Sequence, residues 1–188
     1  MGPISKIYKK EFIVSNNILF PTDVIIGEDM LFNIECAIKL HKYKIINQKF
    51  YYYRKYIGSV TNKFDKKIIE SDINFHKRLK SLLESSKIEK SLKISMVSYS
   101  IKNAIIVLSN RLAYINTYKE AKEYFKIFEK EPYKLVLQQK DIFNKYSLKQ
   151  KLILYCCTKK YYFIIYTFFK IRTKIKHKVK NTEYFVEI

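Results

Sequence analysis

Two hydrophobic rhythms divide the chain. From Lys66 onward apolar residues recur every third or fourth position: Ile68, Ile69, Ile73, Leu79 and Leu83, then Ile94, Val97, Ile101, Ile105 and Leu108. That period lays them along one helical face and predicts packed helices. A further stripe of Ala121, Tyr124, Phe125 and Phe128 predicts a helix over 118–130, which Pro132 is expected to end. Before Lys66 the rhythm is mixed. Residues 5–13 read as a short strand running into a helix, Asn16-Asn17 is turn chemistry, and Ile18-Leu19-Phe20 is an apolar run stopped by Pro21. Leu31, Ile34 and Ile38 predict a helix from about Asp29 to His41. Residues 43–47 and 50–54 read as short strands, the second rich in aromatic side chains that suit a pleated surface. Ile57-Gly58-Ser59-Val60-Thr61 is a glycine-marked loop. The switch of period predicts an α/β region over 1–64, a helical region over 65–145 and a basic amphipathic segment over 146–188.

Composition narrows the chemistry. A chain of 188 residues with 48% hydrophobic content can bury a core for one compact domain, or for a small domain with a helical extension. The only glycines are Gly2, Gly27 and Gly58, far apart, so neither a phosphate-cradling P-loop nor a dinucleotide-binding glycine fingerprint can be assembled. There is no D-x-D pair of carboxylates. Cys36, Cys156 and Cys157 have no metal-ligand spacing, and His41, His76 and His177 are dispersed. Free thiols fit a reducing cytoplasm, and the N-terminal residues lack the apolar run of a signal peptide.

The formal net charge is +20, from 37 basic and 17 acidic residues. Such a balance points to an anionic partner, although a chain rich in Lys, Ile, Tyr and Asn together is also what an AT-rich genome writes. The excess is steepest at the end: residues 146–188 hold ten basic and two acidic residues. The same segment carries Leu152-Ile153-Leu154-Tyr155 and Tyr161-Tyr162-Phe163-Ile164-Ile165-Tyr166, separated by Lys159-Lys160. Neither run approaches the roughly 20 residues that span a bilayer. Aromatic, apolar and basic residues in this mixture suit a helix lying in a membrane interface over anionic lipid; the alternative is a helix packed on its predecessors with a solvated lysine tail. A nucleic-acid module stacking bases on the 17 tyrosines and 13 phenylalanines is the less favoured reading, because the basic residues are spread over the whole chain and no nucleic-acid motif is present.

Gly27-Glu28-Asp29-Met30-Leu31-Phe32 holds the most pointed chemistry. Asp29 stands at a predicted helix start, where free N–H groups and the helix dipole favour an ionised carboxylate. Beside a glycine that lets a substrate come close, such a carboxylate can accept a proton from an alcohol. The plain alternative is a helix cap, with Glu28 as first-turn decoration.

Five segments in register resemble a known family. They are Lys6-Ile7-Tyr8-Lys9-Lys10-Glu11-Phe12, Asn16-Asn17-Ile18-Leu19-Phe20-Pro21, Gly27-Glu28-Asp29-Met30-Leu31-Phe32, Tyr52-Tyr53-Arg54 and Gly58-Ser59-Val60-Thr61. In this order and spacing they resemble the second, acceptor half of bacterial family-2 glycosyltransferases of capsule, exopolysaccharide and lipopolysaccharide assembly. The resemblance covers about a third of the chain. It implies a partial GT-A-like α/β region followed by a mainly α-helical C-terminal region. It implies inverting transfer of a sugar from a nucleotide-sugar to the hydroxyl of a saccharide or lipid-linked acceptor. It places Asp29 as the general base and Glu28 as an acceptor-orienting residue. Arg54 would face the donor diphosphate, or would be a surface arginine at a strand end; Ser59 and Thr61 are candidates for phosphate contacts. The family's first half carries the nucleotide-binding strands and the D-x-D motif for a divalent metal, Mg or Mn. This chain begins where the acceptor half begins, so Met1 reads as an internal methionine and the donor and metal site are expected elsewhere. No cofactor is expected in this chain, which should be inactive alone. Its expected place is the cytoplasm, or peripherally the inner face of the cell membrane.

Overall fold

A computed structural model describes residues 6–48, 52–55, 64–139, 146–179 and 184–187. These form two compact units. One takes residues 6–48, 52–55, 66–93 and 184–187; the other takes residues 64–65, 94–139 and 146–179.

In the first unit, α1 (Lys10–Ser15) is short and ends in a left-handed turn. Asn17, at φ 49°, lets the Ile18 N–H reach back to the Ile13 carbonyl at 3.1 Å and the Asn17 N–H to that of Val14 at 3.1 Å. This is how a helix satisfies its last carbonyls, and asparagine tolerates the left-handed conformation better than most residues. Ile18 is thereby driven inward against Phe32 and Cys36 of α2 (Glu28–Lys39), with Tyr8, Phe12 and Ile13 packed beside them. Phe20 stacks on Phe32 with ring centroids 4.2 Å apart. The face of α2 that is buried is Leu31, Phe32 and Cys36. Next along this unit comes α3 (Lys67–Glu84), burying Ile68, Ser71, Phe75, His76, Leu79 and Leu83 at three- and four-residue steps.

The expected α/β, GT-A-like region is overturned. Among the described residues the fold is mainly helical, and its strands form a single antiparallel ribbon: β1 (Tyr52–Lys55) pairs with β2 (Tyr184–Glu187), Tyr52 opposite Glu187 and Lys55 opposite Tyr184. Parallel pairing needs crossover connections and neighbouring strands, whereas two strands can pair antiparallel without them. Residues 43–47, read as a strand, form no regular element and lie exposed. An apolar stretch becomes a strand only where another backbone edge can take its hydrogen bonds.

The second unit is built on α4 (Lys90–Leu112) from Ile94 onward, α5 (Tyr118–Phe125), a 3₁₀ turn over Lys126–Glu129, α6 (Tyr133–Gln138), α7 (Leu148–Thr158) and α8 (Tyr162–Val179). By length and composition α4 could cross a bilayer, with a mean hydropathy of 1.2 in its most apolar window. Its Ile101, Ile105, Leu108 and Leu112 are buried in the fold, and 28% of that window is buried in all. The predicted 118–130 helix tightens into the 3₁₀ turn, and Pro132 opens α6 from its N-cap position. Phe125 stacks on Tyr162 at 5.1 Å and meets Phe128 edge-on, while Phe128 meets Tyr133. The Tyr162 hydroxyl donates to Glu129 at 3.2 Å, and that of Tyr166 to the carbonyls of Ile115 and Asn116, each at 2.9 Å. Ser147 and Gln150 cap the start of α7 reciprocally.

All three cysteines are buried thiols. Burial pushes Cys157 from an ordinary 9.0 up to about 12, against a small opposing pull from the Ser109 hydroxyl 3.8 Å away. Burial also pushes Tyr146 from 10.0 up to about 12. Both groups are acids whose folded-state values are raised. Their neutral forms therefore support the fold fully below pH 9 to 10, and that support fades as pH climbs through about 12. The urea midpoint should accordingly fall in alkali beyond pH 9, and a disulfide reagent at neutral pH should label the thiols only as the chain unfolds. Immediate labelling of the native protein would contradict this packing.

Candidate active site

Gly27 is the N-cap of α2, with φ 92°. Glu28 and Asp29 are the first two helical residues, so Asp29 lies one position inside the helix rather than serving as its cap. No side chain accepts a hydrogen bond at this N-cap.

Both side chains are half-buried. Among the described residues neither carboxylate has a hydrogen bond or an ion pair. The backbone beneath Asp29 is better fixed: its carbonyl accepts from the Asn33 side-chain Nδ2 at 2.7 Å, and the Tyr8 hydroxyl donates to Asn33 Oδ1. Burial, and then Cys36, push the Tyr8 phenol up, so it stays a donor at neutral pH.

The approach to the helix is strapped to one face of α3. The Ile25 N–H donates to Ser71 Oγ at 2.7 Å, and the Asn74 amide reaches the Asp23 carbonyl at 3.4 Å. Arg78 grips Asp23 with two forks, Nη2 to Oδ1 at 2.8 Å and Nε to Oδ2 at 3.2 Å. That hydrogen bonding holds the Asp23 carboxyl below the usual carboxylate range. Between these contacts the Phe75 ring lies against Gly27: a Cβ there would sit 2.8 Å from Phe75 Cε2 and 2.9 Å from Cδ2. Ser71, Asn74, Phe75 and Arg78 repeat at helical spacing. Sequence reasoning took this helix for core alone and missed that this row positions the Gly27 turn; the polar members Ser71, Asn74 and Arg78 were the available signal.

A cleft of about 150 Å³ opens nearby, lined by Leu19, Pro21, Leu31, Phe32, Glu35 and Arg78 among others. It is smaller than the roughly 300–1,000 Å³ typical of ligand pockets, and neither Glu28 nor Asp29 lines it. Arg54 is placed in β1, opposite Phe185 in the ribbon register. Ser59 and Thr61 lie outside the described residues. The structure thus joins Glu28 and Asp29 in one helix turn and gives no geometry that gathers the other three around them. Among the described residues no group of three His, Cys, Asp or Glu side chains is placed to hold a metal ion.

What the arrangement can do is present an unengaged, half-buried carboxylate in the first turn of a helix. Many of the aromatic residues considered as base-stacking platforms, Phe125, Phe128, Tyr133 and Phe169 among them, are instead spent in the core. No protein-family model, curated protein or solved structure matches this chain.

Proposed function

We propose that this chain supplies the acceptor side of an inverting sugar transfer, with Asp29 as the general base. In the reaction, the acceptor hydroxyl oxygen attacks the anomeric carbon of the nucleotide-sugar. Its proton passes to an Asp29 carboxylate oxygen, and the bond to the nucleoside diphosphate breaks with its electron pair leaving on the diphosphate. Attack from the face opposite the leaving group inverts the configuration. Glu28 orients the acceptor; Arg54, Ser59 and Thr61 are assigned to the diphosphate side, where a cation and hydroxyl donors offset the leaving charge.

The observation that carries this reading is the Asp29 carboxylate itself. It is partly exposed, in the first turn of α2, and no described neighbour uses it, so it is free to take a proton. The family resemblance of the surrounding segments supports the same assignment.

The experiment joins the nucleotide-binding half of a family-2 enzyme ahead of this chain and measures transfer to a lipid-linked saccharide, with Asp29 intact and with Asp29→Asn. The native chain alone is the control and should neither bind nucleotide-sugar nor transfer. A hybrid that transfers sugar equally well in both forms would remove Asp29 from the chemistry, and transfer by the chain alone would refute the division of labour.

A further inference from the structure

We infer that the outward face of the α7–α8 hairpin docks on an anionic lipid bilayer, lying on its surface rather than crossing it. The inference does not rest on Asp29 or on sugar transfer.

The face is visible in how α8 divides its apolar residues. Tyr162, Ile165, Tyr166, Phe169 and Thr173 point inward and are buried. Tyr161, Ile164, Phe168, Ile171 and Ile175 form a second stripe at steps of three and four, and they are 40–58% exposed. At about 100° per residue, the centres of the two stripes fall roughly 140° apart around the helix. The inner stripe accounts for packing; the outer one is not needed for it.

The same holds for α7. Ile153, Leu154, Cys156 and Cys157 are buried, while Leu148, Leu152 and Tyr155 stand out at 53–85% exposure. A tight left-handed turn joins the two helices: Lys160 has φ 59°, and the Tyr161 N–H donates to the Cys156 carbonyl at 2.8 Å. Lys149 Nζ lies 5.3 Å from the centre of the Phe168 ring, so the outer residues of α7 and α8 belong to one surface. Isolated apolar residues on a surface are ordinary, but a continuous patch built from two helices marks an interaction site.

Charge decides the occupant. Between Tyr146 and Thr182 the chain has no Asp or Glu. By helix geometry Arg172 lies roughly 60° to one side of the outer α8 stripe, and Lys174 roughly 100° to the other. Both are exposed, as is Lys159 at the hairpin turn. Apolar residues entering the acyl boundary, with basic heads reaching back to lipid phosphates, make the arrangement of a helix lying in the interface. A spanning helix would have to give its inner side chains to lipid, and those of α8 are committed to the protein core.

The test is flotation of the full chain with vesicles of phosphatidylcholine alone and of phosphatidylcholine mixed with phosphatidylglycerol. The native chain should float with the mixed vesicles at low salt and be released at high salt, since the attraction is screened over about 10 Å at 0.1 M. Replacing Lys159, Arg172 and Lys174 together by Gln should lower partitioning on the order of 100-fold, about fivefold for each basic residue. Replacing Leu152, Ile164 and Ile171 together by Ser should abolish flotation while leaving the melting temperature unchanged, because these side chains are exposed in the native state. A native chain that stays with the solvent phase would overturn the proposal, as would undiminished flotation of either triple variant. So would binding of a duplex oligonucleotide, or self-association lost with the apolar triple, when vesicles are not bound.

Discussion

Gly27→Ala is expected to cost roughly 2–5 kcal/mol of stability, although it adds a single methyl group. Two penalties act at the same atom. Residue 27 holds φ 92°, where a side chain costs about 1–2 kcal/mol. The new Cβ would also fall 2.8 Å from Phe75 Cε2, and inserting a methyl into packed space costs about 1–3 kcal/mol. Against a typical total of roughly 5–15 kcal/mol, this is a large share. The two terms can be separated, because only the second depends on Phe75. In a Phe75→Leu background the overpacking share should shrink while the backbone share remains, giving a coupling of about 0.5–3 kcal/mol in a double-mutant cycle. Urea unfolding followed by far-UV circular dichroism reads all four forms. A loss below about 1 kcal/mol in Gly27→Ala would mean that the turn and the ring yield together, and that Gly27 does not set the start of α2.

Asp29→Asn in the hybrid enzyme should lower turnover by about 10²–10⁴-fold, the usual contribution of a positioned general base. The substitution keeps side-chain shape and removes the basic oxygen. Asp29 lies inside α2 and Gly27 is the N-cap, so no side-chain cap is lost with it. The stability change is limited to the interaction of one first-turn charge with the helix dipole, about 0.3–1 kcal/mol. A structural carboxylate and a catalytic one therefore separate on two axes: turnover collapses with a nearly constant melting temperature if Asp29 takes the proton, and neither moves much if it does not. Rescue of the pH–rate profile by Asp29→Glu, at reduced rate, would further mark the carboxylate rather than the residue's size.

Both effects meet at one turn of chain, and their origins differ in how far local sequence could reveal them. A helix after Gly27 follows from apolar residues at three- and four-residue steps, because a helix face is a property of neighbours along the chain. The same reasoning found the stripes that α3 and α4 bury, and the turn at Asn16-Asn17 that closes α1. The plain alternative for Asp29, a helix cap, falls because Gly27 takes the left-handed cap position itself. That conformation is fixed by contacts 40 or more residues away: Ser71 on Ile25, Arg78 on Asp23 and Phe75 over Gly27.

The strands show the opposite limit. Tyr52–Lys55 has a strand's composition, but a strand is defined by whichever edge completes its hydrogen bonds, and no local pattern names that edge. The partner is Tyr184–Glu187 at the far end of the chain, a segment whose lysine-rich approach reads as a basic tail. The parallel α/β arrangement implied by resemblance falls for the same reason, since each strand of such a sheet depends on neighbours and crossovers. Residues 146–175 combine both lessons. Their apolar and basic content is plain in the sequence, yet a stripe at helical spacing is equally a core face or a docking face. Only packing separates them, by burying Tyr162, Ile165 and Phe169 while leaving Ile164, Phe168 and Ile171 outside. Periodicity follows from bonds along the chain, whereas burial and pairing depend on which distant surfaces the folded chain brings into contact.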